Sequence, residues 1–296
     1  MFKKGFFDEY EIDWKNLSIL VSIIALIGLI GFSGYKLYRI KNEYKISEDL
    51  YENIAEEFVV IETETSLDAS SPTTTTQNSV DPSKAGAETT EATKSNVEPT
   101  SVPKPVSKSV SKSVLSVDFD KLKNKNQDVV AWLYSPGTVI NYPVLQGSDN
   151  NQYLRTTLEG KRQTAGSIFI DYRNDKAFGD YNTIVYGHNM KNKSMFGSLS
   201  SYEKQSYYEK HPVMYLATPE KTYEIELIAG FKTTTESEIY TQPSNFEETK
   251  ALYATAKNKS SFKASSEIQE GDRLITLSTC SNGEDNSRYV VVGKIK

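Results

Sequence analysis

From Asn16 to Tyr35 the sequence carries no Asp, Glu, Lys or Arg and is dominated by Leu, Ile and Val. Twenty residues of helix rise about 30 Å, the thickness of a bilayer's hydrocarbon core. A helix that is apolar all round has no polar face to turn to water, so the run reads as a membrane span. A cleaved export signal is the rival reading, because Gly31-Phe32-Ser33 is a small-x-small triplet. Against it, the run is longer than a usual signal core, and the leader (residues 1–15) mixes Asp8, Glu9, Glu11 and Asp13 with Lys3, Lys4 and Lys15. The reading is an uncleaved anchor over residues 16–35. Lys36, Arg39, Lys41 and Lys45 follow it closely, so the charge balance by itself slightly favours an N-terminus outside.

Two further stretches narrow where a core can form. In residues 36–61, Leu50, Ile54 and Phe58 recur at four-residue spacing with Ile61 three further on, an apolar stripe on an acidic helix. Such a stripe fits a partner helix; a solvated stalk is the simpler expectation. Residues 62–116 then shift to Ser, Thr, Pro, Glu and Lys, with Thr73 to Thr76 and a short Ser-Lys-Ser-Val repeat. A stretch this polar buries too little apolar surface to offset the entropy of ordering it. It reads as a disordered tether with a reach of about 40 Å, and its Ser/Thr content suits glycosylation. The core therefore falls to residues 117–296, where 38% hydrophobic and 25% charged residues across the chain permit one. A net charge of -5 gives no reason to expect nucleic acid.

Within that domain Asp118 is placed to cap a helix running to about Leu133. Strands are expected at Val139–Gln146, with Pro143 marking an edge or a bulge, and at Ser167–Asp171, Asn182–His188, Val213–Ala217 and Tyr223–Lys232. Helices are expected at Asp149–Leu154, Ser200–Lys210 and Phe246–Lys257. Arg273–Cys280 and Arg288–Ile295 close the chain as a strand pair. Many strands with few helices between them favour a mainly antiparallel barrel over a doubly wound sheet.

Cys280 is the single cysteine, so it has no internal disulfide partner. It ends the strand Leu274 to Cys280, whose alternation puts it on one face with Leu274, Thr276 and Ser278. If the last two strands form a hairpin, Arg288 stands beside the thiol, and a fixed positive charge favours the thiolate. His188 ends a second β-rich run, while His211, after a charged stretch, reads as solvent-facing. A Cys and a His far apart in sequence are a known way to build a nucleophile with its acid/base partner. The residue chemistry leaves inert structural roles open for all three. One Cys and two separated His give no metal-ligand set, and no cofactor is implied.

Thr276-Leu277-Ser278-Thr279-Cys280 with Arg288 eight positions on, and Tyr186-Gly187-His188-Asn189-Met190 upstream, resemble a class B sortase. The resemblance runs from about Val117 to Lys296. It takes in Asn141 to Gly147, Ser148 to Leu154, Gly166 to Asp171 and Met195 to Leu199. It implies an eight-stranded sortase-type β-barrel with an N-terminal helical extension, behind one transmembrane helix and a disordered linker. It further implies a cysteine transpeptidase with Cys280 as nucleophile, His188 as acid/base and Arg288 as oxyanion and substrate ligand. Asn150, Leu154, Tyr240 and Ser278 carry over as substrate-binding positions. Asp285 and Asn286, in the loop between Cys280 and Arg288, read as turn formers. The implied partners are surface proteins bearing a C-terminal sorting signal, and an amine of a peptidoglycan cross-bridge, its lipid-linked precursor or a pilin lysine. The implied location is the cell membrane, N-terminus inside and catalytic domain facing the wall. A hydrolytic cysteine peptidase and a non-catalytic wall-binding module on a stalk are the alternatives.

Overall fold

The computed structural model describes residues 14–63, 113–280 and 286–296. Most of the expected leader, residues 64–112 of the expected tether, and Asp285 lie outside the described residues. The chain divides into two units, one of Met1–Val60 with Leu115–Lys296 and the other of Ile61–Val114; the barrel and its site belong to the first.

α1 (Trp14–Phe58) is one continuous helix, long and apolar enough in its first half to cross a membrane. Two short strands follow, β1 (Val59–Thr63) and β2 (Ser113–Val117), which form a two-stranded sheet. α2 (Phe119–Lys125) starts at the expected cap, where Asp118 Oδ1 accepts from Lys121 N at 3.0 Å. It does not reach Leu133. Asn126 is already extended, and its amide side chain donates to Leu158 O at 2.9 Å. The β-branched and aromatic run Val129–Tyr134 then forms β3.

β4 (Asn141–Leu145), β5 (Ile168–Ile170), β6 (Asn182–His188), β7 (Val213–Ala217), β8 (Thr222–Thr234), β9 (Arg273–Cys280) and β10 (Ser287–Ile295) complete an eight-stranded closed barrel with β3. Around the barrel the order is β10, β8, β7, β3, β4, β5, β6, β9. The pairs β4–β5 and β6–β9 are parallel, and the others are antiparallel. Pro143 is tolerated inside β4 because β5 begins only opposite Val144, leaving a local edge. The expected helix at Asp149–Leu154 is a series of turns: Asp149 Oδ1 takes the amides of Asn151 and Gln152 at 2.7 and 2.9 Å, competing with helical bonding. The expected helix Ser200–Lys210 is split at Lys204, which is extended, into a 3-10 segment, Gly197–Glu203, and the short α3 (Gln205–Tyr208). α4 (Phe246–Lys259) is capped by Asn245 and lays Leu252, Tyr253 and Ala256 on the outside of the barrel against Leu274, Val290 and Val292. Ile275, Leu277 and Val291, on the opposite faces of the same strands, fill the lumen with Leu133.

The solvated stalk expected for residues 36–61 does not hold from Ser47 onward. Ser47, Tyr51, Ile54 and Phe58 are buried against the barrel unit. Glu43 Oε1 accepts from Thr164 N at 3.0 Å, Ser47 Oγ donates to Gln163 Oε1 at 3.0 Å, and Tyr51 OH donates to Gly166 O at 2.6 Å. Burying Ile54 and Phe58 contributes about 1.5–3 kcal/mol each. Gly166 has φ +57°, and a Cβ there would sit 2.4 Å from Leu154 O. Gly166→Ala should therefore lower unfolding stability by at least about 1–3 kcal/mol, read by thermal or denaturant unfolding; an unchanged midpoint would contradict the tight turn.

Candidate active site

His188 and Cys280 are the last residues of β6 and β9, and the parallel register sets them directly opposite each other. A parallel pair brings two strand C-termini to the same rim, about 4.8 Å apart across the ladder. On the other side of β9, β10 runs antiparallel with Val290 opposite Ser278. Two residues nearer the rim, Arg288 stands level with Cys280. The three side chains thus share one rung of three neighbouring strands, on the outward face that also carries Thr276 and Ser278.

Cys280 and His188 are 7% and 4% exposed, and Arg288 is half-buried. Burial pushes the Cys280 thiol up to about 11, although the Arg288 charge and a backbone hydrogen bond from Gly187 both act the other way. The expected influence of Arg288 has the right sign, but burial outweighs it and the resting thiol is neutral. Arg288 Nη1 is buried and has no hydrogen-bond partner among the described residues. It is a donor available to an incoming oxygen. Gly187, just before His188 and on the opposite, lumen face, has no space for a side chain, since a Cβ there would come within 2.5 Å of Ile168 Cδ1.

A cleft of about 460 Å³ opens onto this rung and is lined by Cys280, Arg288, Asn150, Leu154 and Tyr240. Ser278, also expected to touch substrate, is instead fully buried and bonded to Tyr240 OH at 2.8 Å; it supports the wall from behind. His211 is not solvent-facing. It is half-buried, with Nδ1 2.9 Å from Pro136 O and its ring 4.6 Å from that of Tyr207. It takes no part in the rung. Asn286 is exposed just before β10. Among the described residues, no group of three or more His, Cys, Asp or Glu is placed to hold a metal ion.

The sequence reading did not single out Asp171, Arg173, Tyr186 or Thr235, which also line the cleft. Tyr186 was findable, because on β6 it lies two residues before His188 and shares its face. Its ring stacks on Tyr240 at 6.4 Å, and its hydroxyl donates to Asp171 Oδ2 at 3.1 Å. Burial raises both tyrosine hydroxyls, so they stay protonated as hydrogen-bond donors. Asp171 is the hub: it accepts from Asn150 Nδ2 at 3.0 Å and takes Arg173 Nε and Nη2 at 2.8 Å each. Burial by itself would raise its carboxyl. The side-chain and backbone bonds from Arg173, followed by that from Asn150, overcome this and hold it near 2.

The chain is similar to known proteins in sequence and in fold. The sortase-domain family model matches residues 133–296. Sortase B of Staphylococcus aureus (strain NCTC 8325 / PS 47) is 38% identical over 180 residues, covering 60% of this chain and 74% of that protein. Sortase B of Listeria monocytogenes serovar 1/2a (strain ATCC BAA-679 / EGD-e) is 38% identical over 179 residues, covering 59% and 72%. The solved Staphylococcus aureus sortase B–substrate complex matches with a TM-score of 0.58 at 36% identity, over 60% of this chain and 84% of that one. The chain belongs to the sortase family of cysteine transpeptidases, and its relatives by sequence and by fold are class B enzymes.

Two predictions follow from the electrostatics. At pH 7 about 1 thiol in 10⁴ should be ionised, so iodoacetamide labelling of Cys280 should rise about tenfold per pH unit up to about pH 10. Arg288→Ala should slow labelling at every pH; a plateau below pH 9 would contradict the buried thiol. The Asp171 carboxyl is depressed in the folded state, so its stabilisation is complete above the unfolded value of 3.8 and lost as pH falls towards 2. Asp171→Asn should cost about 2 kcal/mol at neutral pH and progressively less below pH 4. Denaturant midpoints measured at pH 7 and pH 3 test this.

Proposed function

We propose that this chain is a membrane-anchored transpeptidase that cuts a C-terminal sorting signal after Thr and joins the new carboxyl end to an amine of the cell wall. The observation that carries the reading is the rung His188–Cys280–Arg288, built by a parallel and an antiparallel neighbour of one strand. With a neutral thiol at rest, His188 takes the Cys280 proton as sulfur attacks the Thr carbonyl. The developing oxyanion faces Arg288, whose Nη1 is uncommitted among the described residues. The intermediate collapses to a thioester as protonated His188 gives its proton to the leaving amine. An incoming amine, losing its proton to His188, then attacks the thioester and Cys280 leaves as the thiol.

Asn150, Leu154 and Tyr240 are assigned to hold the peptide in the cleft, with Ser278 acting through Tyr240. The acceptor is a peptidoglycan cross-bridge amine or its lipid-linked precursor, with a pilin lysine as the variant for fibre assembly. The exposed apolar half of α1 supports an anchor, and membership of the sortase family, against the slight charge bias, is the ground for assigning the catalytic unit to the outside of the cell. Water in place of the amine would make the same residues a hydrolase.

Intact-mass analysis of the full-length chain in detergent, incubated with sorting-signal peptides, tests the reading. The peptides should span Asn-Pro-x-Thr-Asn-like and Pro-x-Thr-Gly-like motifs. An acyl adduct is expected on the wild type and not on Cys280→Ala, discharged to a ligated product by oligoglycine or a diaminopimelate-type amine. Discharge to free acid alone, unchanged by any amine, would favour the peptidase. No adduct with any motif would favour a binding module.

A further inference from the structure

The barrel is joined to α1 by two routes. The covalent route leaves the helix at Phe58 and re-enters the barrel unit at Leu115. The second route is direct packing, in which Tyr51, Ile54 and Phe58 bury their side chains and Glu43, Ser47 and Tyr51 bond Thr164, Gln163 and Gly166. Asp118 N donates to Phe58 O at 3.0 Å, so the start of the catalytic segment is pinned to the end of the helix. From Tyr35 to Phe58 the helix contains neither Gly nor Pro, the usual causes of a kink.

From this we infer that α1 is a rigid strut: its face from Glu43 to Phe58, rather than residues 64–112, carries the catalytic barrel at a fixed standoff from the bilayer. The inference rests on the anchor reading given under Proposed function. With the span ending at Tyr35, Tyr51 stands 16 residues further along the helix, about 24 Å beyond the hydrocarbon edge. The grip falls at the catalytic rim. Tyr51 OH bonds Gly166 O and lies 3.1 Å from Ser167 Oγ. Antiparallel pairing of Phe169 with Tyr186 sets Ser167 level with His188. The strut therefore fixes the height of the rung that does the chemistry, and it braces the turn against which Leu154 of the cleft wall packs. A tether of some 50 residues would let the same site range over tens of ångströms; a docked helix restricts it to peptides presented near one height.

The test uses the full-length chain in detergent, with an N-terminal affinity tag and a specific protease site placed between residues 64 and 112. After complete cutting, at least nine-tenths of the barrel fragment should remain on the resin with the tagged helix through a high-salt wash. Free elution of the wild-type barrel fragment would overturn the proposal. Ile54→Asp combined with Phe58→Asp should release at least tenfold more after cutting, and Glu43→Gln with Tyr51→Phe a few-fold more. Retention of the Ile54/Phe58 variant at the wild-type level would overturn the assignment of the holding face. Peptide acylation by the released fragment reports whether that barrel stays folded. Alkaline extraction of uncut membranes checks the anchor separately: chain lost to the supernatant there refutes the span, while co-purification in detergent still decides the docking.

Discussion

The parallel pairing of β6 with β9 is the constraint on which the site depends. Each strand ends in a polar residue, and only a parallel register brings both ends to one rim with His188 opposite Cys280. Parallel neighbours need a long crossover, and here the crossover spans β7, β8 and α4. That one requirement accounts for the wide sequence separation of His188 and Cys280. β10 then returns antiparallel beside β9, which brings Arg288 back to the rim without a further crossover.

Burial and charge oppose each other across the cleft, with different winners on its two sides. At Cys280 a single nearby guanidinium does not compensate for the loss of water, and the thiol stays neutral. At Asp171 a two-point guanidinium contact, a backbone amide and a carboxamide together overcome burial, and the carboxylate stays charged. The difference is the number of donors aimed at the charged form. In the mechanism we propose, a neutral thiol needs a proton acceptor as it attacks, and that part is given to His188. A fixed carboxylate organises Asn150, Arg173 and Tyr186 into a preformed wall.

The barrel keeps a packed lumen and places its chemistry outside. The alternation along β9 sends Ile275 and Leu277 inward and Thr276, Ser278 and Cys280 outward. α4 covers the lower part of that outer face and Tyr240 the part nearest the rim, leaving Cys280 at the cleft floor. The end of α1 closes a different side of the barrel, at the turn preceding β5. Helices at the periphery thus finish a core that the strands alone would leave partly open to water.

Much of this was legible in the sequence. An uncharged run of twenty residues can only be accommodated by lipid or a large core, and period-2 alternation placed β6 and β9 and the outward face of Cys280. Their local patterns are strong because side-chain direction in a strand is set by the backbone alone. The extent of α2, the turns at Asp149–Leu154 and the division at Lys204 were not legible, because there side-chain bonds and strand pairing override weak helical propensity. Likewise the stripe Leu50, Ile54, Phe58 announced an apolar face without naming its partner. The sequence by itself determined the long apolar run, most of the barrel-forming strands and the residues of the rung. Only the tertiary structure decided that the thiol is neutral, that Asp171 organises the cleft wall, and that α1 docks on the barrel. Each of these depends on what surrounds a group in space, and desolvation and long-range packing leave no local pattern in the chain.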